Sequence, residues 1–205
     1  MNIPVIAILA AAGIVAQAQG ETDSGAATVT VYVRVGFGGT DLKPLLAEGI
    51  ASAMFAQAGV RVQWRTERHK LDQHPYQANS PIVVDITSRT SVSPRPDALA
   101  YAHVYEGVHI KVFWDRVKES ANCNPALSHK LLANVMVHEI THVLQGINSH
   151  SGEGVMKAQW TNSDIVQMER MPLLFSRHDI ELIHDGLKNR AIARERVHAA
   201  ARADH

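Results

Sequence analysis

The stretch from Asn124 to Gly146 constrains this chain more than any other. Asn124 followed by Pro125 reads as a helix start: the Asn side chain can accept the first unpaired N–H groups, and Pro at the first helical position has no N–H to leave unpaired. Leu127, Leu131, Leu132, Val135, Met136, Ile140, Val143 and Leu144 then recur at helical spacing. Gly146 ends the run with a residue that tolerates the left-handed conformation common at helix ends. So broad an apolar flank has to be buried against something larger, and the rest of the chain must supply that layer.

The supply is a sheet. Thr28 to Val35 alternates apolar and polar residues and predicts a strand, with a turn over Gly36 to Gly39. Asp41 caps a helix running to about Ala58, with Leu42, Leu45, Leu46, Ile50, Met54 and Phe55 as its inner stripe and Gly59 as its stop. Val60 to Thr66 is a second strand, and strand, helix, strand in that order implies a right-handed crossover and a parallel pair. Ile82 to Ile86 is apolar enough to be a central strand. A small-residue stretch at about 98–104 suits an edge, and Val108 to Trp114 is a further strand. Between them, 69–81 is a polar loop whose His69 and His74 read as loop histidines. A short helix is expected over Trp160 to Met168, and Ser176-Arg177-His178-Asp179 is a capping box for a last helix that turns Ile180, Ile183, Leu187 and Ile192 inward. That helix should fray from Arg194 on.

The chemistry lies inside the helix between Asn124 and Gly146. His138 and His142 are four residues apart, so both imidazoles can reach one ion from one helix face. Glu139 is rotated roughly 100° from His138, beside such an ion, where it can take a proton from a water rather than act as a ligand. Beyond Gly146 the chain turns back, and the next imidazole is His150, followed by Gly154-Val155-Met156. Three or four residues at about 3.3 Å each suffice to bring His150 to the pair.

The run HEITHVLQGINSH with GVM resembles the metzincin zinc metallopeptidases, whose pattern is H-E-x-x-H-x-x-G-x-x-H followed by a Met-turn. The family's Gly and third His positions are held here by Gln145 and Asn148, and Gly146 and His150 fall four and eight residues after His142. The resemblance implies Zn²⁺ held by His138, His142 and His150, with Glu139 as general base and Met156 as a packed floor. It also implies an edge strand, about 98–104 here, that pairs with extended substrate. In fold terms it implies an α/β (α+β) chain: a twisted, mixed, mostly parallel five-stranded sheet with an active-site helix and a C-terminal helix. A gluzincin-like arrangement with a carboxylate third ligand such as Glu169 is the nearest enzyme alternative. A non-catalytic metal- or peptide-binding protein on the same scaffold is the other.

Lys plus Arg and Asp plus Glu number 20 each, so no global field recruits nucleic acid or an anionic surface. Ile3 to Val15 is an apolar run ending in Ala16-Gln17-Ala18, a small-x-small cleavage pattern. It is shorter than the roughly 20 residues a membrane span needs. Residues 1–18 are therefore expected to be a signal peptide, with 19–205 a single catalytic domain, secreted or periplasmic, monomeric and without stable membrane association. The single Cys123 excludes an intrachain disulfide and reads as a buried, inert thiol. Together these readings predict a secreted zinc metalloendopeptidase acting on a peptide or protein substrate.

Overall fold

The structure, a computed structural model, describes residues 26–36, 43–66, 81–88, 98–102 and 108–203. The expected signal peptide, the Asp41 cap, Leu42, His69 and His74 lie outside them. The chain runs β1 (Ala27–Val35), α1 (Lys43–Gln57), β2 (Val60–Thr66), β3 (Ile82–Thr87), β4 (Ala100–Ala102), β5 (His109–Phe113), α2 (Trp114–Ser120), α3 (Pro125–Gln145), α4 (Asn162–Arg170) and α5 (Arg177–Ala203). The five strands form one mixed sheet in the order β2-β1-β3-β5-β4, parallel except that β4 lies antiparallel to β5 at the edge. The expected fold class and edge strand are the ones found.

Alternation in β1 sends Val29, Val31 and Val33 inward. β3 is buried at Ile82, Val83, Val84 and Ile86, on both faces, as a strand flanked by parallel neighbours must be. The sheet and helices share one apolar core, in which α3 packs against α1, α4, α5, β3, β4 and β5. Burial therefore surrounds α3: besides the predicted apolar residues, Ala133, Asn134, Val137, Thr141 and Gln145 are buried.

The stripe of α1 differs from expectation. Leu45 and Leu46 are 59% and 54% exposed, while Ala47, Ala51, Met54, Phe55 and Ala58 are buried. Pro44, Ala47, Ala51, Met54 and Ala58 follow the same helical spacing, and small residues on that stripe let α1 lie close to α3.

Two boundaries and the burial of Cys123 also differ from expectation. The strand expected through Trp114 ends at Phe113, and Trp114 opens α2, burying itself and Val117. Helix α4 starts at Asn162 because Thr161 and Asp164 form a reciprocal capping box. Cys123 is exposed, not buried. It sits with Asn122 in a left-handed turn between α2 and α3, φ 55° and 49°, whose amides bond back onto α2 and leave the thiol outside.

Helix α5 begins at the predicted capping box: the Asp179 amide bonds Ser176 Oγ, and Asp179 Oδ2 accepts from the Ser176 amide. Ile183 is buried and Ile180 and Leu187 pack on the core, but Ile192 is 47% exposed. The helix continues to Ala203. It crosses α3 so closely that a Cβ on Gly186 would lie 1.9 Å from the Leu144 carbonyl oxygen. Among the described residues no helix is long and apolar enough to cross a membrane.

Candidate metal centre

Both helix-end expectations for α3 hold. Asn124 Oδ1 accepts from the amides of Ala126 and Leu127, at 2.9 and 3.4 Å, and Gly146 closes the helix at φ 69° with its amide on His142 O. The bracket sets the phase of the helix, so His138, Glu139 and His142 share its last two turns.

The structure brings His138, His142 and His150 into one cluster whose candidate ligand atoms all lie within 4.8 Å of one another. Ring centroids are 4.7 Å apart for His138–His142, 5.3 Å for His138–His150 and 4.8 Å for His142–His150. Glu153, Asp164 and Glu169 are not members of it. Asp164 pairs with Lys157 at 2.6 Å, and Glu153 and Glu169 are exposed. The longer spacing after His142 is absorbed by one further helical residue, Gln145, and by a loop that returns His150 to the helix.

The tautomers follow from the partners. His138 Nδ1 lies 2.8 Å from Val155 O and His142 Nδ1 lies 3.3 Å from Ile147 O. A carbonyl only accepts, so each Nδ1 carries the proton and each Nε2 is left with a bare lone pair. Those two Nε2 atoms face each other at 3.1 Å. Two lone pairs at that distance repel unless a cation lies between them. Nitrogens bound at about 2.0–2.1 Å to a tetrahedral zinc would be about 3.4 Å apart, close to what is found. The donor set and its spacing thus fit a divalent ion of this kind.

Electrostatics favour the neutral ligands that metal binding needs. Burial lowers His138 from the usual 6.5 to about 4; repulsion from His150 adds to this, and the bond to Val155 opposes it. Burial lowers His142 to about 3, helped by repulsion from His138 and His150. His142 is buried, His138 half-buried and His150 exposed, so the cluster opens to solvent on the His150 side. Glu139 is 9% exposed. Met156 is fully buried.

Several participants escaped the sequence reading. The carbonyls of Ile147 and Val155 hold both helical imidazoles, and backbone acceptors carry no mark in a sequence. Gly154 adopts φ +70°, where a Cβ would lie 2.1 Å from Leu174 O, and this close approach lets the Val155 amide bond that same oxygen at 2.9 Å. Trp160 stands edge-on to His138, 5.7 Å between centroids, and its buried indole N–H has no hydrogen-bond partner among the described residues. Its only signal was a lone Trp four residues past Met156. Asp179 contributes a second carboxylate oxygen, bonded to Ser151 Oγ beside His150.

No protein-family model matches the chain, and no curated protein matches it in sequence. Among solved structures it is similar to archaemetzincin from Methanopyrus kandleri, at 18% identity and a TM-score of 0.56, covering 82% of this chain and 99% of that one. It is also similar to a zinc-dependent peptidase from Methanocorpusculum labreanum, at 10% identity and a TM-score of 0.51, covering 75% and 99%. At these identities the likeness establishes the fold: the mixed α/β arrangement is that of these two proteins.

Proposed function

We propose that this chain is a zinc-dependent peptidase, exported with loss of residues 1–18, that cleaves within extended polypeptides. The observation that carries the reading is the pair of bare Nε2 atoms 3.1 Å apart, joined by His150 on the open side. Zinc suits three imidazoles and leaves one position for water or substrate. When bound it supplies a Lewis acid that polarises the scissile carbonyl and makes a water acidic near neutral pH.

The chain's own residues do the rest. His138 and His142 keep their Nε2 atoms aimed inward because Val155 O and Ile147 O hold the opposite edge of each ring. Glu139 projects from the same helix, and its carboxylate takes the proton of the attacking water and returns it to the leaving amine. Burial to 9% exposure limits competing solvent at that carboxylate. β4, at the sheet edge and packed against α3, offers backbone groups that an extended peptide can pair with, which suits an endopeptidase.

The test is metal content and hydrolysis of an unfolded protein substrate, with and without chelator. Wild type should carry about one zinc, Glu139→Gln should keep it and lose hydrolysis, and His150→Ala should lose zinc where Glu169→Ala does not. Chelator-resistant hydrolysis, or full activity of Glu139→Gln, would remove this mechanism.

A further inference from the structure

We propose that Asp179 is a positioning residue for the metal centre: its carboxylate fixes the loop that carries His150 and supplies negative charge to balance a bound dication. The proposal rests on the zinc reading above.

A capping carboxylate needs only one oxygen, and Asp179 uses Oδ2 for that, accepting from the Ser176 amide at 2.9 Å and the Ser176 hydroxyl at 2.6 Å. Oδ1 does something a cap does not require. It accepts the hydroxyl of Ser151, 28 residues away, at 2.5 Å. Ser151 follows His150 directly, and its amide is held by Met156 O at 2.8 Å. The first turn of α5 is thereby tied to the segment from Ile147 to Met156, which provides His150 and both carbonyls that orient the helical imidazoles. Slack in this tie would misplace all three rings together.

Charge points the same way. Capping carboxylates ordinarily sit in water, whereas Asp179 is 2% exposed. Among the described residues, the three groups donating to its oxygens, the Ser151 hydroxyl and the Ser176 amide and hydroxyl, are all neutral. An ionised carboxylate is costly to bury with neutral partners alone. Three neutral imidazoles would leave a bound zinc with its full double charge. The carboxylate lies next to the cluster through Ser151, whose hydroxyl it accepts and which follows His150 directly. Hydrogen-bonded groups outside the ligands hold those ligands in place in metal sites generally.

Zinc affinity is measured by competition with a chromophoric chelator, alongside thermal unfolding, for wild type, Asp179→Asn, Ser151→Ala and Ser176→Ala. Asp179→Asn and Ser151→Ala should weaken zinc by about 10- to 100-fold, while Ser176→Ala, which removes part of the helix cap but not the loop tie, should lower the Tm and hold zinc within about threefold of wild type. Ser151→Ala leaves the α5 cap intact and decides the matter even if Asp179→Asn does not fold. Unchanged affinity in Ser151→Ala or Asp179→Asn overturns the proposal, as does equal weakening by Ser176→Ala. A wild-type chain that takes up no zinc overturns the zinc reading as well; wild-type binding with unchanged variants overturns this one alone.

Discussion

Adding one methyl group at Gly186 and one at Gly49 should move stability in opposite directions. Both glycines lie inside helices, where replacement by Ala gains about 0.8–1 kcal/mol from backbone entropy and propensity. At Gly49 a Cβ meets nothing within 4 Å among the described residues, so that gain should appear in full. At Gly186 a Cβ would lie 1.9 Å from Leu144 O, 2.9 Å from Leu144 C and 3.0 Å from Gln145 Cα. Relaxed carbon–oxygen contacts are no shorter than about 3.3 Å, so α5 would have to withdraw from α3 by about 1.4 Å. Every atom met is backbone, so no side chain can rotate aside. Because the overlap is with backbone, the cost lies in the upper part of the overpacking range, about 2–3 kcal/mol, which exceeds the propensity gain and leaves a net loss of about 1–2 kcal/mol. For a chain of this size each kcal/mol moves the Tm by about 2–4 °C. Thermal unfolding should therefore show Gly49→Ala about 2–4 °C above wild type and Gly186→Ala about 2–8 °C below it. A Gly186→Ala protein as stable as wild type would mean that the close crossing of α3 and α5 is wrong.

Chelator-treated protein should lose stability as the pH falls below 6.5. His138 and His142 bind protons with values of about 4 and 3 when folded, against 6.5 when unfolded. Between those limits the unfolded chain holds more protons, and stability declines with falling pH by an amount of the order of a few kcal/mol; urea midpoints at pH 7.5 and pH 5 measure it, and flattening is expected in His142→Gln. Asn134→Ala should cost about 1–3 kcal/mol in urea unfolding, because the fully buried side chain accepts the Leu173 amide at 3.1 Å and donates to Lys130 O at 2.9 Å; a loss below about 0.5 kcal/mol would show that another group satisfies the Leu173 amide. Mass spectrometry of exported protein should find a chain beginning near Gln19, and an intact Met1 would count against export with cleavage.

Strong local signals made much of this legible. β1, β2, β3 and α3 carry clean periodicity with explicit stops, and His138 and His142 are neighbours by helix geometry alone. In α1 volume does not report orientation: Leu45 and Leu46 look like core residues, yet they are exposed and Ala47 and Ala51 are buried. Helix α2 was hidden because Trp114 prolongs an apolar run that otherwise belongs to a strand. His150 could be found from chain reach. The capping role of Asp179 was equally readable, since Ser176 lies three residues before it. Its bond to Ser151 was not, because it joins segments 28 residues apart and depends on how α5 lies across α3.

The segment 147–157 concentrates its contributions in one short length of chain. The third imidazole and both carbonyl acceptors belong to it, so a single local opening removes all of them at once. An ion held there would leave at the frequency with which the segment lifts, not by shedding ligands one at a time. Its residence time would be governed by the hinge at Gly146 and the clasp between the Val155 amide and Leu174 O. Hydrogen exchange at Val155 and isotope exchange of the ion are then two clocks reading the same fluctuation.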